Sequence, residues 1–262
     1  RIGYLSDSKQ EFFQRLDHLM SLAKQALVTK RKVITRLLDA GLFPYTKRYL
    51  QHLDNHFNTI GIVGMNEAMR NFRGRDLLDD TSRAFALDIL EHMRARMQDF
   101  QEETGQLFNL EATPAESTSY RLAKHDAERF ADIITAGETE PYYTNSTQLP
   151  VGYTDDIFDA LDLQDPLQTL YTGGTVFHGF LGEAVEDWRS IRSLVQTIAA
   201  NYRLPYFTIS PTYSICPIHG YIRGAHFSCP HCEAENRREI EQQIQALEQE
   251  RDAALRAAAD QN

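Results

Sequence analysis

The stretch Leu107-Phe108-Asn109-Leu110-Glu111-Ala112-Thr113-Pro114-Ala115-Glu116-Ser117-Thr118-Ser119-Tyr120 decides the fold. Leu107 to Ala112 reads as a strand, Thr113-Pro114-Ala115-Glu116 as the turn that ends it, and Ser117 to about Ala131 as a helix. A strand that feeds a helix through a short turn is the repeating unit of α/β folds. Backbone N–H groups at the start of such a helix are unpaired and carry partial positive charge, so Thr113, Pro114 and Ala115 shape a turn able to hold a phosphate. Ser117, Thr118 and Ser119 add hydroxyl donors. Helix-capping preference is the plainer account of the same hydroxyls. Glu116 would repel a phosphate if its carboxylate faced the same way.

The pattern on either side repeats. Ser8 to about Ala40 carries Phe12, Phe13, Leu16, Leu19, Met20, Ala23, Leu27, Val33, Ile34, Leu37 and Leu38 at helical spacing, with Ser8 and Glu11 as a capping box and Gly41 as a stop. Leu42-Phe43-Pro44-Tyr45 breaks that pattern and predicts a loop. Phe57 to Gly64 predicts a buried strand closed by glycine, and Asn66-Glu67-Ala68-Met69 starts a short helix. Thr81 to about Glu103 predicts an amphipathic helix with Phe85, Leu87, Ile89, Leu90, Met93, Met97 and Phe100 inward. Pro141 to Gly152 reads as a polar, aromatic-rich loop or strand, Phe158 to Tyr171 as a helix, and Gly174 to His178 as a strand. A helix over Glu186–Ala200 and a strand over Tyr206–Ser210 follow. Strands alternating with helices predict an α/β domain with a largely parallel sheet or part of a barrel.

All three cysteines fall in one window, Cys216-Pro217-Ile218-His219, nine further residues, then Cys229-Pro230-His231-Cys232. Two chelating pairs joined by a short loop supply four ligands to one tetrahedral ion, and thiolate with neutral imidazole suits zinc better than magnesium or calcium. Ordinary buried cysteines are the alternative. His219 stands where the first pair needs its second ligand; His226 and His231 compete for the place. Four protein ligands leave no position for water, so such an ion is structural. Beyond Cys232 the composition turns to Glu, Gln, Arg and Ala without glycine or proline, with Ile240, Ile244, Leu247, Ala254 and Leu255 near coiled-coil spacing. A solvated helical arm or linker fits this stretch better than a zipper, which needs more heptads.

Composition narrows the function classes. The 262 residues are 42% hydrophobic, which describes a globular chain with a sizeable core. No apolar run is long enough to span a bilayer, the first residues are not a signal peptide, and the chain starts at Arg1 as a fragment would. With no cysteine left for disulfides, the expected compartment is the cytoplasm. A formal charge of -10 argues against nucleic-acid binding, and Lys30-Arg31-Lys32 with Arg36 reads most simply as a solvated helix face. The paired glycines of Thr172-Gly173-Gly174-Thr175 are turn residues more often than a ligand cradle. Pro141 to Pro150 collects amides and hydroxyls beside two tyrosines that could contact a ribose or a base, or satisfy one another. His52, Asp54, Asn55 and His56 cluster without a nucleophile.

Several stretches in this order resemble the anaerobic (class III, glycyl-radical) ribonucleoside-triphosphate reductases. They are Gly41 to Leu50, Asn55 to Glu67, Asn109 to Glu116, Glu140 to Ser146, Tyr171 to Thr175 and Thr212 to Tyr221, and the resemblance covers residues 1 to about 235. It implies the second half of a ten-stranded α/β barrel, followed by a small zinc ribbon-like site at Cys216, His219, Cys229 and Cys232 and a charged C-terminal helix. The expected segments are a barrel portion at 1–210, zinc knuckles at 211–235 and a helical arm at 236–262. The turn at Thr113 to Ser119 resembles the loop that holds substrate phosphates in ribonucleotide reductases. The implied substrate is a ribonucleoside triphosphate, converted to a deoxyribonucleotide by glycyl and thiyl radical chemistry. A radical-SAM activating enzyme and a homodimer are implied for the full-length protein. No Arg-Val-x-Gly-Tyr-like segment follows Cys232, an ATP cone is missing, and every cysteine belongs to the zinc set. The radical glycine and radical cysteine are therefore expected outside this sequence, and the chain alone is expected to be inactive. A non-catalytic zinc-ribbon scaffold with a helical docking arm is the alternative function.

Overall fold

A computed structural model describes residues 1–137, 139–150, 153–154, 156–181, 185, 187–211, 213–224 and 226–259. Glu186, Gly152, Thr212 and Asn262, each the end of a stretch read above, lie outside the described residues. The chain divides into two compact units, Arg1–Gly179 with Gln196–Thr208, and Phe180–Val195 with Ile209–Asn262.

The first unit opens with α1 (Lys9–Asp39), where the Ser8 hydroxyl accepts the Glu11 N–H at 3.2 Å and the Glu11 carboxylate accepts the Asp7 N–H at 3.0 Å. This is the expected capping box, shifted by one residue on its return bond. The loop expected after Leu42 is instead a short helix, α2 (Pro44–Leu50). Proline at its first turn has no N–H to lose and a φ already set for a helix, so Pro44 starts the element it was read as breaking. The strand β1 (Asn58–Gly61) leads to α3 (Met65–Arg73) and α4 (Asp80–Thr104), the latter capped by the Asp79 carboxylate on the Ser82 N–H. The chain returns through β2 (Phe108–Glu111), which pairs with β1 in parallel, Asn58 opposite Phe108 and Gly61 opposite Glu111. Two parallel strands joined by helices establish the α/β class.

Alternation along β2 sends Phe108 and Leu110 to the core, with Asn109 and Glu111 on the opposite face. Phe12, Leu16 and Met20 of α1, Met65 and Met69 of α3, and Phe85, Ile89, Leu90, Met93, Met97 and Phe100 of α4 complete that core. The Phe85 ring stands 5.3–5.7 Å from those of Phe12, Phe13 and Phe72. Leu19 and Val33, counted inward by periodicity, are exposed. Leu19 instead borders an apolar cavity of about 310 Å³ that Ile60, Ile62 and Met93 also line.

After β2 come α5 (Glu116–Arg129), α6 (Ile157–Gln168), β3 (Phe177–Leu181), α7 (Trp188–Asn201) and β4 (Phe207–Pro211). The strand expected from Gly174 begins three residues later because Thr172, Gly173 and Gly174 are held by β2. Ala112 donates to the Gly174 carbonyl at 2.8 Å, and Gly173 donates to that of Leu110 at 2.7 Å. The basic run of α1 is partly a fastener: Arg31 donates to the Leu53 and His56 carbonyls and to Asn58 Oδ1.

The second unit contains the hairpin β5 (Tyr213–Cys216) and β6 (Gly220–Arg223), paired antiparallel with Cys216 opposite Gly220. The long helix α8 (Pro230–Ala259) follows, with Ile240, Ile244 and Leu247 exposed along it. No helix among the described residues is long and apolar enough to cross a membrane.

Candidate phosphate loop and metal centre

The carboxyl ends of parallel strands are where α/β folds place ligands, because the strand-to-helix turns there aim helix N-termini at a common crevice. In this chain β2 ends at Glu111, the turn runs through Thr113 and Pro114, and Ala115 precedes α5 in the left-handed conformation at φ 39° and ψ 39°. A left-handed alanine costs about 1–2 kcal/mol relative to ordinary backbone, which marks a turn held for a reason. Ala115 offers no side-chain acceptor, so the first N–H groups of α5 lack the cap that sequence preference suggests. The first backbone bond of the helix runs from the Ser119 N–H to the Ala115 carbonyl at 2.8 Å.

The hydroxyls of this turn divide into two groups. Ser117 is exposed and Thr118 half-buried, both in the first helical turn. Thr113 packs against Gly61, where an added Cβ would come within 2.3 Å of its Oγ1. Ser119, in contrast, is buried; its hydroxyl accepts the Tyr143 N–H at 3.0 Å and donates to the Tyr143 carbonyl. Ser119 therefore ties α5 to the polar loop. Tyr143 reinforces the tie by donating its phenol to buried Asp126 at 2.8 Å. Burial and that carboxylate push the Tyr143 hydroxyl well above its ordinary pKa, so it stays a donor at any physiological pH.

Much of the polar loop is satisfied internally. The buried Glu67 carboxylate accepts the Thr144 N–H at 2.8 Å and its hydroxyl at 2.7 Å. Gln164 donates to the Thr147 carbonyl at 2.9 Å, and Tyr171 to the Thr147 hydroxyl at 3.2 Å. Two amide oxygens, Asn109 Oδ1 on β2 and Asn145 Oδ1 opposite Val63, are buried without a partner. Sequence reading gave Asn109 no site role, while Asn145 lies in the run read as able to contact a ribose or a base; the missing partner distinguishes both oxygens from the satisfied polar groups around them. Gly173 and Gly174 prove to be close-approach residues, since a Cβ at Gly174 would stand 3.2 Å from Glu111 Oε1. His52 and Asp54 form an exposed pair 3.4 Å apart with no nucleophile.

The second unit brings together Cys216, His219, Cys229 and Cys232, with their ligand atoms all within 4.8 Å of one another. Cys216 ends β5, the chain turns through Pro217 and Ile218, and Gly220 at φ 72° resumes as β6. Cys229 precedes α8 and Cys232 lies in its first turn. The Ile218 N–H points at Cys216 Sγ and the Cys232 N–H at Cys229 Sγ, both at 3.4 Å, the bonds that support thiolates in a metal knuckle. His219 Nδ1 lies 3.7, 3.5 and 3.4 Å from the sulfurs of Cys216, Cys229 and Cys232, and Cys216 Sγ lies 3.6 Å from Cys232 Sγ. A tetrahedral zinc, at about 2.3 Å from sulfur and about 2.0–2.1 Å from nitrogen, spaces its ligands about 3.5–3.8 Å apart. The donor set and these distances fit such an ion, so the cluster could hold a metal such as zinc.

Of the three candidate histidines, His219 is the one that lies in the cluster. His231 only stacks against its ring, at a centroid distance of 5.3 Å, and His226 is not in the cluster. N–H groups of His219 and Ile218 lower the Cys216 thiol to about 6. Hydrogen bonds to Cys216 and then Glu235 raise His219 to about 9. Hydrogen bonding to Cys216, with burial, pushes Cys232 up to about 12. Cys216, His219, Cys229 and Cys232 would have to give up these shared protons to hold a divalent ion.

Residues 1–244 match the family profile described as anaerobic ribonucleoside-triphosphate reductase. The chain is 25% identical over 254 residues to the Haemophilus influenzae protein of that name, covering 88% of this chain and 35% of the relative. It is 26% identical over 243 residues to the Escherichia coli protein, covering 84% and 34%. The chain thus spans about a third of the length of these relatives. The crystal structure of the Thermotoga maritima anaerobic ribonucleotide reductase with MES in the active site shares the fold at a TM-score of 0.73 and 24% identity, over 88% of this chain and 39% of that one. The same enzyme in complex with dATP and CTP gives 0.71 at 23% identity, over 88% and 38%. With a matching profile over most of its length and the fold of the reductase barrel region, this chain belongs to the anaerobic ribonucleoside-triphosphate reductase family.

Proposed function

We propose that the chain is part of an anaerobic ribonucleoside-triphosphate reductase, and that it holds the phosphates of a ribonucleoside triphosphate on the turn Thr113 to Thr118. The observation that carries this reading is the uncapped N-terminus of α5, set by left-handed Ala115 at the carboxyl ends of two parallel strands. The N–H groups of Glu116, Ser117 and Thr118 would bind phosphate oxygens, helped by the hydroxyls of Ser117 and Thr118, with Thr113 shaping the turn against Gly61. Pro114 fixes the approach of the turn. Ser119 acts through Tyr143 as a positioning residue, since its hydroxyl is already engaged. Glu116 is exposed, which lets its carboxylate point away from the phosphates. Asn145 Oδ1 and Asn109 Oδ1 are acceptors for hydroxyl or amino groups of the nucleoside, because a buried acceptor left unpaired costs about 1–3 kcal/mol.

Cys216, His219, Cys229 and Cys232 would hold one structural zinc, which when bound supplies a closed tetrahedral cross-link and no open position for chemistry. Replacement of the ribose 2′-hydroxyl would depend on glycyl and thiyl radicals carried elsewhere in the full-length enzyme. A radical-SAM activating enzyme, a homodimer, a barrel of ten strands and a cytoplasmic setting belong to the same proposal. So does the division into a barrel portion at 1–210, knuckles at 211–235 and an arm at 236–262.

Titration of the chain with CTP and with cytidine tests the phosphate site. The reading expects CTP to bind more tightly than cytidine, and joint substitution of Thr113, Ser117 and Thr118 by alanine to weaken CTP at least ~10-fold without changing cytidine, since a hydrogen bond to a charged group contributes about 1.5–3 kcal/mol. Equal binding of CTP and cytidine, or an unchanged CTP affinity in the triple variant, contradicts it.

A further inference from the structure

His219 has two ring nitrogens with different surroundings. Nδ1 faces the three sulfurs at 3.4–3.7 Å, while Nε2 faces the carboxylate of Glu235 at 3.2 Å. Glu235 lies on α8, three residues after Cys232, so both project from neighbouring positions on one helix face. The same helix thus supplies a thiolate to the cluster and a carboxylate to the far side of the imidazole. An imidazole that coordinates through Nδ1 carries its proton on Nε2, and a carboxylate accepting that proton fixes both tautomer and ring angle. Ser228 occupies a different carboxylate, that of Glu233, so the two acidic side chains at the start of α8 have separate work.

We propose that Glu235 is an outer positioning residue of the metal centre, which orients His219 as an Nδ1 ligand and couples the start of α8 to metal binding. The proposal rests on the reading of the four-residue cluster as a zinc site, and it concerns the histidine that stands here as the fourth donor. Glu235 is more than half exposed and makes no core contact, so its replacement leaves the hydrophobic packing untouched. Removing such a partner lowers metal affinity about 10–100-fold in comparable sites. A carboxamide can still accept the Nε2 proton, so Glu235→Gln should lose less affinity than Glu235→Ala.

The test is a double-mutant cycle read as zinc affinity of the full chain by competition with a chromophoric chelator, with cobalt(II) spectra reporting geometry. Glu235→Ala is expected to weaken zinc about 10–100-fold and to broaden the tetrahedral cobalt bands, with Glu235→Gln between it and wild type. In a His219→Cys background, where no imidazole remains to be oriented, Glu235→Ala is expected to change nothing. Wild-type affinity in Glu235→Ala, or the same loss in both backgrounds, overturns the positioning role while leaving the zinc site intact. If the wild-type chain binds neither zinc nor cobalt, the metal reading itself fails and takes the proposal with it.

Discussion

Gly61 lies so close to Thr113 that an added methyl would sit 2.3 Å from the threonine hydroxyl. The contact belongs to the end of β1 and the turn after β2, so a side chain at 61 reshapes the turn without touching a ligand. Gly61→Ala is therefore expected to lower CTP affinity several-fold and to lower the melting temperature as well, because the added Cβ would also stand 2.9 Å from Thr113 Cβ, which no side-chain rotation moves. Isothermal titration paired with a melt checks both halves; an unchanged CTP affinity would contradict the argument. The cluster of Cys216, His219, Cys229 and Cys232 was legible in the sequence because chelating geometry is local: two residues of spacing fix where both side chains of a knuckle can point. The role of Ser119 was not legible. Ser119 shares its first helical turn with Ser117 and Thr118, and only the packing of Tyr143 against it decides which hydroxyl is engaged.

Among the elements, the long amphipathic helices α1 and α4 were readable from periodicity, α1 also from its Ser8 cap, while the Asp79 cap of α4 was not read. Those caps carry a pH dependence. The Asp7 N–H, with Arg15, holds the Glu11 carboxyl below its ordinary pKa; the Thr81 hydroxyl, with Arg75, holds Asp79 further below. Because the unfolded chain takes up these protons at higher pH than the folded one, the stabilisation is complete above about pH 5 and is lost as pH falls through the depressed values. Thermal melts from pH 6 to 3 should show a falling midpoint, with a smaller fall in an Asp79→Asn, Glu11→Gln variant. An identical fall in the variant would remove these caps as a cause. Of the elements missed, the start of β3 depends on β2 holding Gly173 and Gly174, which no local window shows, whereas α2 follows from a local feature, Pro44 as a first-turn residue, that was read as a break.

At the scale of the molecule, the first unit rests on one apolar core in which Phe85 meets three other phenylalanine rings. Phe85→Ala is expected to destabilise that unit by about 3–5 kcal/mol, as large-to-small core changes do, and denaturant unfolding followed by near-ultraviolet circular dichroism measures it. A loss under about 1 kcal/mol would mean that the cluster is not the centre of the core. The α/β class was legible because strands and helices alternate along the chain. The parallel pairing of β1 with β2 needed the structure, since no local feature states which strands are neighbours. Family membership rests on residues 1–244 together, and the catalytic cycle is proposed for a protein about three times as long.

The account depends most on Cys216, His219, Cys229 and Cys232 converging on one ion. Elemental analysis of the purified full chain, prepared without added metal and repeated on a Cys216→Ser, Cys232→Ser variant, measures this directly. The account expects one equivalent of zinc in the wild-type chain and almost none in the variant. Wild-type protein that is folded yet free of zinc, or a variant that retains the full equivalent, would contradict it.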